Sequence, residues 1–248
     1  MELYRALGIS SGDVVAFAGA GGKSSAIIAV AGELAQDGMS VLVAPTTKML
    51  VREAERIGPL VTSEDTEELR ARVREALAGS PGVVAGSGLL SKGRVGGVEP
   101  AWISTLSELA DVTLVEADGS RRRPLKGTAD HEPVLPETST LAVAVGSIRA
   151  YGMPANEEHI HRPEIFSRLT GVGPGQSITA PAFAQALAQG SLGNLPPTAR
   201  PAALLTDVEP GQSMADAAVV TRELWRLGVQ TVVLCSLPAK APAQVWIP

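Results

Sequence analysis

A glycine-rich turn between an apolar run and an Ala-rich segment is the feature that most constrains how this chain can fold. Residues 14–25 read Val-Val-Ala-Phe-Ala-Gly-Ala-Gly-Gly-Lys-Ser-Ser, and an apolar segment from Ala26 to Leu34 follows. This pattern predicts a strand, a turn and a helix in direct succession. Glycines allow backbone N–H groups to converge on an anion, and the helix N-terminus adds partial positive charge. The sequence therefore predicts a phosphate-binding loop.

The loop is shorter than the usual P-loop, because Phe17 stands six residues before the lysine, where that pattern has glycine. It is similar instead to the shortened Gly-x-x-Gly-Lys-[Ser/Thr]-[Ser/Thr] loop of Mur-ligase-like ATPases. Lys23 is expected to reach the β- and γ-phosphates, and a hydroxyl of Ser24 or Ser25 is expected to hold Mg²⁺. The residues predicted to bind the phosphates are Gly19, Ala20, Gly21, Gly22, Lys23, Ser24 and Ser25.

Two other interpretations of the loop remain open at this point. A dinucleotide-binding fingerprint needs a third glycine where Ser24 stands, and it has no use for Lys23. The simplest alternative is a glycine-rich turn with a solvated lysine and no ligand.

Composition limits the classes of function. The chain has 248 residues, is 45% hydrophobic and only 3% aromatic, which suits α/β packing of small side chains. A formal net charge of −5 argues against a general nucleic-acid binder. The single cysteine, Cys235, lies in an apolar run and is expected to be a buried thiol. The first residues do not resemble a secretory signal, and the apolar runs are too short to span a bilayer, so we expect a cytoplasmic protein.

Apolar runs alternate with helical patterns along the whole chain. This alternation predicts an α/β fold, a mostly parallel sheet flanked by helices in a P-loop NTPase-like three-layer sandwich, formed by one domain over 1–248. The glycine-rich segment 86–100 is expected to be a hairpin or a mobile loop, and segment 189–201 a connecting loop. Strands are predicted at 13–18, 40–44, 82–85, 112–116, 140–145, 202–205 and 231–235. Helices are predicted at 24–37, 66–78, 101–109, 162–170, 181–188 and 213–227.

Acidic residues follow the predicted strand 112–116, which ends in Glu116-Ala117-Asp118-Gly119. Ligands of open α/β sheets lie beyond the carboxyl ends of the strands, and P-loop proteins place a metal-binding carboxylate there. Glu116 and Asp118 are two residues apart and would share a face if the strand continued. We therefore predict Ser24 and Glu116 as metal ligands, and Asp118 as a catalytic residue. The alternative is a simple Asp-Gly turn.

Basic and hydroxyl side chains are predicted near the same edge. Arg121, Arg122 and Arg123 come directly after the acidic residues, and guanidinium groups pair bidentately with phosphates or an anionic substrate. Arg121 is the arginine that we predict as catalytic together with Lys23, Glu116 and Asp118, and Lys126 is a further candidate. After strand 40–44, Thr46, Thr47 and Lys48 are predicted to contact the nucleotide; the alternative for the threonines is a helix cap.

Histidines and a possible base-binding segment leave more than one interpretation open. His159 and His161 would face the same way in a strand and could bind a metal, but spacing fixes no third ligand, so the roles of these two and of His131 are undetermined. Strand 202–205 is followed by Thr206-Asp207-Val208-Glu209. P-loop GTPases have an Asn/Thr-Lys-x-Asp motif there, and Asp207 replaces its lysine, so guanine specificity does not follow.

Taken together, these segments resemble the YqeC family, whose members are described as accessory proteins of selenium-dependent hydroxylases. The resemblance implies a P-loop-like α/β fold and a link to the maturation of a molybdenum hydroxylase that carries labile selenium. This chain departs where the family commonly has Thr, at Ser25, and where it tends toward an Asn-Lys-like motif, at Thr206-Asp207. The matching pieces are Gly19–Ser24, Thr46–Met49, Val115–Ser120, Pro124–Lys126, His131–Pro133 and Glu158–Glu164.

We therefore expect a protein that binds ATP or GTP with Mg²⁺ and acts as an NTP hydrolase or as a phosphoryl or nucleotidyl transferase. Its expected partner is a molybdenum hydroxylase or a cofactor-biosynthesis protein, with no nucleic acid and no membrane. The alternative is a non-catalytic nucleotide switch, or a carrier of cofactor or metal that docks on a molybdoenzyme.

Overall fold

The computed structural model describes residues 1–237 and 242–248. A sheet of nine strands forms the centre of the molecule. The strands are β1 (Val14–Gly19), β2 (Val41–Val43), β3 (Met49–Leu50), β4 (Leu60–Thr62), β5 (Gly82–Gly86), β6 (Leu89–Leu90), β7 (Arg94–Val95), β8 (Val112–Glu116), β9 (Leu125–Lys126), β10 (Leu141–Ser147), β11 (Ile160–His161), β12 (Arg200–Thr206), β13 (Thr231–Leu234) and β14 (Gln244–Trp246). The helices are α1 (Leu3–Ala6), α2 (Lys23–Gln36), α3 (Val51–Ala54), α4 (Thr66–Gly79), α5 (Ile103–Leu106), α6 (Pro163–Thr170), α7 (Ala180–Gln185) and α8 (Gln212–Arg226).

The main sheet has the strand order β14-β13-β12-β10-β1-β8-β2-β5-β4, and all its pairs are parallel except β13 with β14. Both faces are covered, as a parallel sheet requires. On β1, Val15 and Phe17 pack on the face covered by α1 and α2, whereas Val14 and Ala16 pack on the opposite face, near α4 and α5. The prediction of a mostly parallel, three-layer α/β fold is confirmed.

Each of the predicted strands is present, with ends that differ from the prediction by at most two residues. The sequence did not predict two strands at the edges of the sheet, β4 and β14. Both are three residues long and only partly buried, so neither shows the continuous apolar run of a central strand. The short helices α1 and α3 span four residues each, too few to produce a helical period.

The predicted helices differ from the observed ones mainly where the observed helices are interrupted. Segment 101–109 is helical, but it is broken into a 3₁₀ turn, α5 and a second 3₁₀ turn. Helix α7 passes into a π-helical turn at Ala186–Ser191.

Among residues 1–237 and 242–248, every helix is too short or too polar to reach across a bilayer. Cys235 is buried, and burial raises the pKa of its thiol to about 12.

Two small sheets stand beside the carboxyl edge of the main sheet. Strands β6 and β7 form the hairpin predicted within segment 86–100, and β3 pairs with β7 to complete a sheet in the order β3-β7-β6. Strand β9 pairs in parallel with β11, which brings Lys126 beside His161. These additions build walls next to the glycine turn.

Candidate functional site

The glycine turn joins β1 to α2 in a conformation that its glycines make possible. Gly19 has a φ of 97°, and a Cβ there would lie 2.4 Å from the carbonyl oxygen of Val145. Gly21 has a φ of 75°, and its Cβ would lie 2.4 Å from the nitrogen of Ser147. Both positions therefore exclude a side chain, because the turn is packed against the end of β10.

The backbone N–H groups of the turn fall into two sets. Those of Gly19, Ala20 and Gly21 donate within the protein, to the Asp118 carboxylate, the Val145 carbonyl and the Arg123 carbonyl. Those of the next four residues, 22–25, have no hydrogen-bond acceptor in the part of the chain that the structure describes. The first turn of a helix leaves such N–H groups without intrahelical partners, and they suit an anion.

Lys23 is the first residue of α2, and its side chain is almost completely buried, at 3% exposure. The ammonium Nζ donates to the carbonyl oxygen of Gly19 at 2.6 Å and lies 3.2 Å from Asp118 Oδ1. It also lies 4.0 Å from Glu116 Oε1. The interpretation of the turn as one with a solvated lysine is therefore wrong.

Glu116 and Ser24 meet at the end of β8. The Ser24 hydroxyl donates to Glu116 Oε2 at 3.0 Å, whereas Ser25 points to solvent. Burial raises the pKa of Glu116, and this effect outweighs the opposing effects of the Lys23 charge and the Ser24 hydrogen bond. The arrangement is a hydroxyl and a carboxylate side by side at the start of α2.

Asp118 has a different environment from Glu116, although both lie near Lys23. Its side chain is fully buried and accepts the Gly19 N–H through both oxygens. Its Oδ2 also accepts from Lys126 Nζ at 2.8 Å. Asp118 thus joins two buried ammonium groups to the backbone of the glycine turn.

The charges continue outward from Lys126 in alternating sign. Lys126 is 1% exposed and donates to Glu132 Oε2 at 2.8 Å, and Arg162 donates to the same carboxylate at 2.5 Å. Burial would raise the pKa of Glu132, but the hydrogen bonds from Arg162 and Lys126 outweigh it and lower the pKa to about 2. We call the chain of Lys23, Asp118, Lys126, Glu132 and Arg162 the buried charge chain.

A cavity of about 710 Å³ opens beside Ser24 and Glu116. Residues 119–123 form one wall and residues 160–164 another, and Arg94 of β7 reaches it from the small hairpin sheet. The volume is in the range of sites that bind small molecules. We call this space the arginine cavity.

Of the three residues predicted after β2, two lie at the same cavity. Thr47 and Lys48 line it, together with Glu53 of α3. Thr46 instead donates its backbone N–H and its hydroxyl to the carbonyl of Glu116, at 3.1 and 3.4 Å. Thr46 therefore ties the end of β2 to the end of β8 and does not line the cavity.

The histidines are separated by the structure. His161 lines the arginine cavity, and burial together with the charges of Arg162 and Lys126 lowers its pKa. His159 is bonded through Nδ1 to Asn156, and His131 is exposed. Within residues 1–237 and 242–248, no three His, Cys, Asp or Glu side chains converge as a metal-binding group.

The polar side chains after β12 form hydrogen bonds with other parts of the protein. Thr206 donates to the Gly21 carbonyl. Asp207 accepts from Ser147 Oγ, and Glu209 accepts from Ser236 Oγ. These contacts attach the end of β12 to the glycine turn and to β10.

Sequence reasoning did not single out Glu132, Arg162 or Arg94 as site residues. Glu132 and Arg162 stand in segments noted only for their family resemblance, and no spacing rule relates them to Lys126. Arg94 comes from a hairpin whose partner, β3, is two residues long. Only the tertiary structure brings these side chains to the edge of β8.

A parallel sheet, a glycine turn followed by Lys-Ser at the start of a helix, and a carboxylate at the end of the adjacent strand define an α/β protein of the P-loop type. The family model described as YqeC protein matches residues 15–164, more than half of the chain, and the chain belongs to this family.

A relative from Escherichia coli (strain K12), called uncharacterized protein YqeC, is 33% identical over 168 residues, which are 66% of this chain. The matched region spans 63% of the length of that relative. Among solved structures, HypB from Helicobacter pylori in complex with nickel aligns with a TM-score of 0.41 and 12% identity, covering 95% of this chain and 82% of that chain.

Proposed function

We propose that this protein binds a nucleoside triphosphate, ATP or GTP, at the turn between β1 and α2, together with Mg²⁺. The observation that carries the proposal is the set of N–H groups at residues 22–25, which have no acceptor among residues 1–237 and 242–248. They lie next to a buried lysine and a hydroxyl–carboxylate pair. Backbone N–H groups at a helix start bind phosphate oxygens, and the lysine neutralises their charge. We also propose that the chain forms a single domain, 1–248, and works in the cytoplasm.

The residues at the end of β8 fit a divalent cation. Ser24 Oγ and Glu116 Oε2 are 3.0 Å apart and both line the cavity, so two oxygen ligands of the kind that Mg²⁺ prefers face the same space. When bound, Mg²⁺ would supply positive charge to the phosphate oxygens. Ser24 and Glu116 would hold it, and they would exchange their mutual hydrogen bond for this role.

Lys23 must change partners for a nucleotide to bind. Its ammonium is now bonded to the Gly19 carbonyl and to Asp118, and in the proposed complex it contacts the β- and γ-phosphates. Asp118 would keep Lys126 and the Gly19 N–H, so the released carboxylate stays neutralised. Arg121, on the cavity wall, would face the transferred phosphoryl group, where positioning and charge stabilisation provide most of the catalysis.

Family membership supports the wider role that we propose, an accessory function in the maturation of a selenium-dependent molybdenum hydroxylase. The reaction would be NTP hydrolysis, or phosphoryl or nucleotidyl transfer to a small acceptor.

One observation favours a second function, a nucleotide switch or carrier without turnover that docks on a molybdoenzyme. Asp118, which the sequence predicts as a catalytic residue, is fully buried, with its oxygens bonded to Lys126 and to the Gly19 N–H. A carboxylate so placed holds the loop and has no direct access to a substrate in the cavity. Phosphate release by the purified protein with Mg²⁺ and ATP or GTP distinguishes the two functions.

Calorimetric titration with non-hydrolysable ATP and GTP analogues, with and without Mg²⁺, tests the binding site. We expect Lys23→Ala to weaken binding by about 100-fold, the scale of a lost charge-assisted contact. We expect Glu116→Gln to retain binding and to lose its dependence on Mg²⁺. Arg222→Ala, on the exposed face of α8, is the control with one charge removed and should bind as the wild type does. Unchanged affinity in Lys23→Ala would reject the phosphate-loop assignment.

A further inference from the structure

The arginine cavity is lined by six basic residues and five glutamates, but most of the basic side chains are not paired with a carboxylate within residues 1–237 and 242–248. In the part of the chain that the structure describes, no carboxylate lies within 4 Å of any of five cationic side chains on its walls. These are Lys48, Arg94, Arg121, Arg122 and Arg123. Arg162, also on the wall, is already bonded to Glu132.

These cations come from separate parts of the chain and converge on one space. Lys48 follows β2, Arg94 belongs to β7, and residues 121–123 follow β8. Residues 121–123 place three guanidinium groups side by side on one wall of this cavity of about 710 Å³. Like charges repel, so an anion bound between these groups would be stabilised by all of them. Arg121 and Arg122 also have positive φ values, 47° and 60°, although neither is glycine.

The cavity and the glycine turn are distinct places. Residues 19–23 do not line the cavity, whereas Ser24 and Glu116 stand at the boundary between the two. An anion in the cavity would therefore lie beside the proposed metal site, and would not occupy the proposed position of the nucleotide phosphates.

The surroundings limit the size of the anion. Glu53, Glu157 and Glu164 stand among the cations on the cavity walls. These acids would repel a continuous phosphate backbone, and the net charge of the chain is −5. A small anion avoids this repulsion, because all its charged groups can lie next to the guanidinium groups.

We propose that the arginine cavity binds a small polyanion, a molecule with phosphate or clustered carboxylate groups, and that this molecule is the second substrate of the loop site. Guanidinium groups of residues 121–123 bind its anionic oxygens, and the compact cavity orients it toward Ser24 and Glu116. The role as second substrate rests on the proposed nucleotide site; the binding of the anion in the cavity does not.

Calorimetry with inorganic pyrophosphate and with citrate tests this site in a Lys23→Ala background, in which the glycine turn contributes least to anion binding. We expect at least one of these anions to bind, and its affinity to fall by about tenfold or more when Arg121, Arg122 and Arg123 are all changed to Gln. The charge-matched control is Arg72→Gln/Arg74→Gln/Arg222→Gln, on exposed helix faces outside the cavity, and it should bind as the background does. If Lys23→Ala does not fold, Lys23→Met is the background.

The outcomes separate the two proposals. Pyrophosphate binding alone identifies the anion as a phosphate compound, and equal or tighter binding of citrate identifies it as a polycarboxylate. If neither anion binds, or if the triple substitution leaves the affinity unchanged, the cavity proposal is overturned. Absence of nucleotide binding by the wild type, with anion binding retained, would instead reject the loop proposal and with it the role as second substrate.

Discussion

The charged residues at the carboxyl edge of β8 form two regions with opposite environments. In the buried charge chain, Lys126 lies between two carboxylates at 2.8 Å each. In the arginine cavity, residues 121–123 are exposed, with no carboxylate partner in the described ranges 1–237 and 242–248. Nine residues of sequence, 118 to 126, contain both kinds of site.

The contrast shows that residue type does not decide the role of a charge in this protein. A buried ion pair must be fully paired to be tolerated, so the charges of the buried chain fix the glycine turn, β9 and α6 relative to one another. An exposed guanidinium keeps its water and is available to a ligand. Each of the following predictions changes one region and measures whether the other responds.

Asp118→Asn should have the largest effect on stability. The substitution leaves Lys23 and Lys126 buried with one carboxylate fewer, and breaking such a pair costs about 3–5 kcal/mol. Urea unfolding measures the loss, and Asp216→Asn, at a partly exposed position of α8 and outside the ion pairs of the described residues, is the matched control. A loss below about 1 kcal/mol would mean that the buried charges are not what holds the turn in place.

Glu132→Gln should have a smaller effect that depends on pH. The folded protein lowers the pKa of Glu132 to about 2, below the ordinary carboxyl value of 4.5. The ionised carboxylate therefore stabilises the fold above about pH 4.5, and this contribution is lost as the pH falls toward 2. At neutral pH we expect the variant to be about 1–3 kcal/mol less stable, as for a lost partner of a buried charge.

The measurement is urea unfolding of Glu132→Gln and of the wild type between pH 7 and the lowest pH at which both fold. The difference between the two proteins should shrink as the pH falls below about 4.5. A difference that stays constant over this range would contradict the role assigned to the ionised carboxylate.

Replacing Arg121, Arg122 and Arg123 by Gln should have the smallest effect on stability, within about 0.5 kcal/mol. All three side chains are exposed, and none of them takes part in the ion pairs of the described residues. The same variant should lose anion binding. A large loss of stability would remove the distinction between the two regions.

The sequence predicted the central strands of the sheet better than the edge strands and the interrupted helices around them. Central strands such as β1 and β8 are fully buried, and their residues are mostly apolar. A continuous apolar run of this kind can be recognised in the sequence. The edge strand β4 is only half-buried, and its residues lack that run. The break within segment 101–109 and the π-helical turn after α7 depend on packing and hydrogen bonds that no local pattern records.

For the site, sequence order was sufficient to place Lys23 and Glu116 near each other, because parallel strands end at one edge of the sheet. It did not distinguish Glu116, which lines the cavity, from Asp118, which is buried beneath it. That difference arises from Lys126 and from the Gly19 N–H, both of which approach Asp118 through the tertiary fold. The functional roles of these residues stay predictions.

The hydrogen bond from the Gly21 N–H to the Arg123 carbonyl has a consequence for any attempt to uncouple the two regions by mutagenesis. It joins main chain to main chain, so substitution of the arginine side chains leaves it in place. A ligand that displaces the glycine turn would therefore also displace residues 121–123, because this hydrogen bond connects the two backbones. Such a mechanical linkage would persist in every side-chain variant described above.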